Sequence, residues 1–269
     1  MKEINYLMES DEESIRLDLK TDVKNIEKQA LWAGIKPGMR VADIGCGPGK
    51  ITSTLFKLAS PGGSALGIDG SSTRLEYARE HYGSEGVQFT CKNILEALDD
   101  VGTFDFIWIR FVLEYYRNNA LELLRNVTKT LKPGGILFLI DLDHNPLNHY
   151  GFPDRLYNAL LSIMAIFEKK YNFDPIAGRK LYSYIYDLDF ENIDVDMSIN
   201  TLVFGQMNEV DYFNWVKKVE VIPKMIEYDF PQYDGGYSEF VREFESYMND
   251  PRRFSYNPLI CCRGQKPMS

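Results

Sequence analysis

Between Asp22 and Ile35 the apolar residues Val23, Ile26, Ala30, Leu31 and Ile35 recur at spacings of three and four, the stripe of an amphipathic helix. Gly34 and Pro37-Gly38 end the pattern, and a strand is expected from Arg40 to Ile44. The stretch "CGPGK" then breaks the strand. Ile51, Leu55, Phe56 and Leu58 predict a helix stopped by "SPGG". "SALGID" predicts a second strand, and Leu75, Ala78 and Tyr82 mark another helix. "VQFTC" and "FDFIWI" read as the third and fourth strands, Leu121 to Leu131 as a helix ended by "KPGG", and "ILFLID" as the fifth strand. Near-continuous apolar strands separated by helices imply a mostly parallel sheet covered on both faces, a Rossmann-like doubly wound α/β fold.

After Asp141 the regularity changes. "RLYNALLSIMAIFEKKY" predicts a helix in a segment too short to be a domain by itself, and "GRKLYSYIYDLDFENIDVDMSIN" returns to helix and then strand. About fifty residues rich in Tyr, Phe and Trp precede "NPLICCRGQ", which reads as the last of seven strands. The aromatic insertions follow strand ends on the carboxyl side of the sheet, where ligands sit in such folds, so they are expected to form a lid; plain packing is the alternative.

The net charge of −9 opposes attraction to nucleic-acid phosphates and favours a small-molecule partner. The compact pair Arg252 and Arg253, after Pro251, reads as a solvated turn. No apolar run reaches the roughly 20 residues that span a bilayer, and the acidic start "MKEINYLMESDEESIRLDLK" lacks the features of a secretory signal, so no membrane association and a cytoplasmic location are expected. The four cysteines include no C-x-x-C pair, which argues against structural zinc.

The chemistry gathers after three strands. In "VADIGCGPGK" the glycines at 45, 47 and 49 suit either a plain turn or a ligand lying close against the backbone. Asp69 ends the second strand about twenty residues later, where a carboxylate can accept from both hydroxyls of a ribose; the alternative is a helix N-cap, a role Ser71 or Ser72 could fill instead. Asn93 and Ile94, after the third strand, could read an adenine edge, with a cap by Asn93 as the alternative.

"VADIGCGPGK", "LGIDGSS", "CKNI", "FDFIWIRFVLEYY" and "LKPGGILFLIDLD" together resemble the class I S-adenosylmethionine-dependent methyltransferases over about Ile26 to Asp141, and again in "NPLICCRGQKP". The resemblance implies that Asp43, Gly45, Gly47 and Gly49 lie under the methionine part of S-adenosyl-L-methionine and that Asp69 with Gly70 holds the ribose. Asn93, where the family usually has Asp, and Ile94 would meet the adenine, and the carbonyl at Ile109 and Arg110 would meet the amino group. It also implies that residues 1–21 form an arm in which Tyr6 and Arg16 close over the cofactor. The core would then be 22–144, 178–204 and 256–269, with the insertions at 145–177 and 205–255.

The expected activity is methyl transfer to a small-molecule acceptor by in-line displacement, for which positioning can suffice. Should the acceptor need to lose a proton, His144 is the first candidate base, ahead of His149 and Glu114. Asp141 and Asp143 invite a magnesium reading, but two carboxylates alone make a poor cation site, and no metal is expected. Three alternatives stay open: a non-methylating reaction with the same cofactor, a binding protein without catalysis, and an NAD-dependent oxidoreductase. The G-x-G-x-G loop departs from the G-x-G-x-x-G of the oxidoreductases. "IRFVLEYY" also lacks the prolines found after the fourth strand in enzymes that methylate exocyclic base nitrogens.

Overall fold

The computed structural model describes residues 14, 15, 17, 18, 21–144 and 148–268. They fall into two compact units, one of residues 1–141, 178–196 and 260–269, the other of 142–177 and 197–259. The chain passes between them inside three long strands and once more between residues 177 and 178.

In the first unit β1 (Arg40–Ile44), β2 (Ser64–Asp69), β3 (Val87–Cys91), β4 (Phe104–Arg110) and β5 (Leu131–Leu142) lie in the order β3-β2-β1-β4-β5. All four pairings are parallel. Beyond β5 comes β8 (Phe254–Gln265), with β7 (Glu191–Phe204) paired to it. The helices α1 (Val23–Ala33), α2 (Lys50–Ala59), α3 (Ser72–Tyr82), α4 (Ala120–Val127) and α6 (Leu181–Tyr186) complete this unit.

Alternate strand residues enter different cores. Ile107, Ile109, Leu137 and Leu139 pack with Leu123, Leu124 and Val127 of α4 and with Leu181 and Ile185 of α6. Their neighbours Trp108 and Phe138 meet edge to face at 4.9 Å, and Phe138 lies 5.9 Å from Trp32 of α1. Because both faces are covered, neither needs polar residues. The adjacent Cys261 and Cys262 of β8 are both buried for the same reason.

Asp22 caps α1 by accepting from the Lys24 and Asn25 N–H groups, and Gly34 ends it in the left-handed region at φ 101°. Two expectations shift here. Leu31, counted in the apolar stripe, is 59% exposed. The helix expected to run to Leu131 stops at Val127 in a 3-10 turn, and "KPGG" lies inside β5, where the register with β4 slips between Phe104 and Phe106.

The second unit contains α5 (Asp154–Tyr171), α7 (Glu209–Ile226) and α8 (Gly236–Met248). Leu156, Ala159, Leu160, Ile163 and Phe167 give α5 a buried stripe at helical spacing, and α5 packs on α7 and α8. The segment too short for a domain thus shares one core with the later insertion. A two-residue strand, β6 (His149–Tyr150), pairs antiparallel with Phe254 and Ser255 of β8, one strand more than the expected seven. Arg253 corrects the reading of a solvated turn: it is 2% exposed and donates from Nε to the Met248 carbonyl at 2.8 Å, while Arg252 alone reaches solvent and pairs with Asp250.

Candidate active site

The strand order reverses between β1 and β4, and a doubly wound sheet opens a crevice at the carboxyl ends of the strands at such a point. The loop after β1 is fixed there by its own backbone: the Gly45 and Cys46 N–H groups both donate to the Ile68 carbonyl, at 2.7 and 3.1 Å.

The three loop glycines serve different ends. A Cβ on Gly45 would overlap Val112, and one on Gly49, at φ 89°, would come within 2.9 Å of Phe89 and Ala78. Those two glycines permit close packing of the protein on itself. Among the described residues, Gly47, at φ 52°, has no atom within 4 Å of where its Cβ would be, and neither has Gly70 after β2. Bare backbone beside open space is what a closely approaching ligand requires.

Asp69 lies between these two glycines and is 6% exposed. Its Oδ2 accepts from the Gly47 N–H at 2.9 Å, and its Oδ1 accepts from the Ser71 N–H at 2.9 Å and from Arg74 Nη2 at 3.0 Å. Ser71 itself caps α3 by accepting from the Arg74 N–H, so the capping role expected for a serine falls to it. Three of the roughly four acceptor sites of the Asp69 carboxylate are filled by the protein.

Asp43, at the end of β1, accepts from the Thr52 hydroxyl at 2.6 Å. Burial pushes its carboxyl up from 3.8 to about 7, against the lowering effect of that hydrogen bond and with a further rise from the Asp69 charge. Arg110 ends β4, and burial lowers its guanidinium to about 10, opposed by Cys261, Asp141, Asp43 and Glu114. Glu114 is buried and donates its backbone N–H to Asp141 Oδ2 at 3.2 Å.

The remaining sequence candidates are placed as follows. Asn93, after β3, is exposed and engaged locally: its oxygen accepts from the Leu95 N–H at 3.1 Å and its amide donates to Glu96 at 3.1 Å. Ile94 is buried in the apolar core. His144 belongs to the second unit, with its backbone at φ 55° and its N–H donating to the Pro175 carbonyl at 2.8 Å. His149, of the same unit, bonds Ser255 Oγ at 2.6 Å and stands edge-on to Phe152 and Trp215. Tyr6 and Arg16 lie outside the described residues. Asp18, from the same arm, accepts from the Tyr82 hydroxyl and receives Lys50 Nζ on its carbonyl at 2.7 Å. Among the described residues no group of three His, Cys, Asp or Glu could hold a metal ion, and no helix is long and apolar enough to cross a membrane.

Two contributors escaped the sequence reading. Arg74 looks like an ordinary surface residue of a helix, and its only signal is its place five residues after Asp69. Tyr116 is half-buried, and burial raises its hydroxyl, with the Asp69 charge adding to the effect.

Residues 35–186 match the family model described as a methyltransferase domain. The demethylmenaquinone methyltransferase of Staphylococcus aureus is 28% identical over 166 residues, covering 58% of this chain and 67% of the relative. Among solved structures, a cyclopropane-fatty-acyl-phospholipid synthase-like protein from Lactobacillus casei superposes with a TM-score of 0.58 at 14% identity, covering 97% of this chain and 96% of its own. Phosphoethanolamine N-methyltransferase 2 of Haemonchus contortus, solved with phosphomonomethylethanolamine and S-adenosylhomocysteine, gives 0.58 at 14% identity over 96% of this chain and 58% of its own. The family match spans more than half of the chain and takes in the glycine loop, Asp69 and Arg110, so the chain belongs to the methyltransferase domain family and is a class I S-adenosylmethionine-dependent methyltransferase.

Proposed function

We propose that the crevice at β1, β2 and β4 holds S-adenosylmethionine and that the methyl acceptor is a small, partly apolar molecule. The observation that carries this reading is the pair of glycines, Gly47 and Gly70, open to space on either side of the buried Asp69 carboxylate. When bound, the cofactor supplies an electrophilic methyl group on a sulfonium, and an in-line displacement of this kind depends chiefly on positioning.

The chain's residues then divide the work. Asp69 exchanges its Arg74 partner for the ribose hydroxyls while the Gly47 N–H keeps its carboxylate oriented. The bare backbone at 45–49 lies under the methionine part, the Arg110 carbonyl takes the amino group, and Asn93 with Ile94 flanks the adenine. Tyr6 and Arg16 belong to the arm proposed to close over the site. His144 is the candidate base for an acceptor that must lose a proton. Acceptor selection is assigned to the aromatic-rich helical unit.

A small-molecule acceptor is supported by the relatives, whose names specify demethylmenaquinone and phosphoethanolamine. The net charge of −9 argues against nucleic acid. Calorimetric titration with S-adenosylhomocysteine and, separately, with NADH tests the cofactor, with binding of the first alone expected. A screen of small acceptors by release of S-adenosylhomocysteine tests the rest, and turnover only on nucleic acid would overturn it.

A further inference from the structure

Arg110 stands beside the glycine loop. Ile44 of β1 is registered opposite Ile109 of β4, so the next residues, Gly45 and Arg110, are level with each other across the parallel pair. The guanidinium lies 3.9 Å from the ring centroid of Phe111, whose own backbone is in the left-handed region at φ 56°. Its Nε is buried and has no hydrogen-bond partner among the described residues.

The nearby carboxylates explain part of this. Asp141, Asp43 and Glu114 are close enough to favour the arginine's charge. Asp43 and Asp141, however, are each already engaged at Oδ2, by the Thr52 hydroxyl and the Glu114 N–H. The group therefore combines a cation that has an unused Nε–H with several acidic groups near enough to favour its charge. A simple anion would be repelled by the carboxylates, and a simple cation by Arg110. A zwitterion satisfies both, and an unsatisfied buried donor is costly unless a ligand completes it.

We propose that the Arg110 guanidinium binds the α-carboxylate at the methionyl end of the cofactor, with the neighbouring carboxylates facing the α-ammonium. This rests on the reading of the crevice as the cofactor site. It gives Arg110 a side-chain role where the sequence suggested only its carbonyl. The placement agrees with Asp69, at the ribose, standing on the opposite side of the loop, since β2 and β4 flank β1.

The test compares S-adenosylhomocysteine with 5′-methylthioadenosine, which keeps the nucleoside and lacks the amino-acid end. Calorimetry on the full chain is expected to show the first binding about 100-fold more tightly, and Arg110→Met to remove most of that advantage while changing 5′-methylthioadenosine affinity less than about threefold. Arg110→Lys, which keeps a cation, should restore part of it. A parallel loss for both ligands, or none for S-adenosylhomocysteine, would overturn the proposal. Should Arg110→Met not fold, the wild-type chain decides: equal affinity for S-adenosylmethionine and its decarboxylated form rejects the carboxylate contact. If the wild type binds neither nucleoside, the crevice reading falls and this contact with it; if it binds both equally, only this contact falls.

Discussion

Asp69 Oδ2 accepts the Gly47 N–H at 2.9 Å, joining the end of the second strand to the middle of the glycine loop. The carboxylate thus holds the loop from below while its other oxygen holds Arg74 at 3.0 Å. A ribose diol needs two acceptor positions, and the protein leaves about one. Arg74 is the partner able to leave, because the other two donors are backbone groups.

Removing the acceptor should be severe. Asp69→Ala is expected to weaken S-adenosylhomocysteine binding by about 100-fold or more, the loss of two charge-assisted hydrogen bonds. Arg74→Met should instead tighten S-adenosylmethionine binding severalfold, since it frees an acceptor position on Asp69. Calorimetry on both variants checks this, and weaker binding by Arg74→Met would mean that Arg74 helps to hold the ligand.

The glycines at 47 and 49 should separate function from folding. Gly47→Ala meets no atom of the described residues and carries a left-handed backbone penalty of about 1–2 kcal/mol, yet it fills the open space, so cofactor affinity should fall at least about tenfold. Gly49→Ala overlaps Phe89 and Ala78 and should cost about 2–4 kcal/mol of stability from overpacking and strain together. Thermal melts with matched titrations distinguish the two, and wild-type affinity in Gly47→Ala would show that the ligand does not approach there.

Asp43 makes stability depend on pH in an uncommon direction. Its carboxyl titrates at about 7 when folded and at 3.8 when unfolded, so between those values the folded chain holds the extra proton. The contribution is present in full below 3.8 and is lost as pH rises to about 7. Asp43→Asn lacks this slope. The variant should gain on the wild type between pH 4 and 8, by on the order of 4 kcal/mol at most from a shift of about three pH units. Denaturant midpoints measured at several pH values test it, and parallel curves would show that Asp43 titrates normally.

His144 is the remaining chemical candidate. His144→Ala should leave cofactor affinity unchanged and lower kcat by about 10² or more on an acceptor that must lose a proton. An unchanged kcat would place methyl transfer on positioning alone.

The fold was legible because its parallel strands are apolar on both sides: no other arrangement covers Trp108 and Ile109 at once. The loop and Asp69 were legible because their spacing follows from the strand-to-strand geometry. Burial of charge was not. Arg253 reads as surface and is enclosed, and Leu31 reads as core and is exposed, because hydrophobic spacing marks a helical face without showing how wide a stripe the neighbours cover. Arg74 and the side chain of Arg110, whose carbonyl alone was expected to matter, were hidden differently, since nothing in a sequence shows which cations fold inward toward carboxylates distant along the chain.

Asp43, Asp69, Glu114 and Asp141 are all buried, with Arg74 and Arg110 as their nearby cations. On the proposed site this excess of acidic groups gives turnover a direction. These buried carboxyl groups would attract the positive sulfur of the methyl donor and would lose that attraction once methyl transfer left a neutral thioether. On that reading S-adenosylhomocysteine should be held more loosely than S-adenosylmethionine, which paired calorimetric titrations would show.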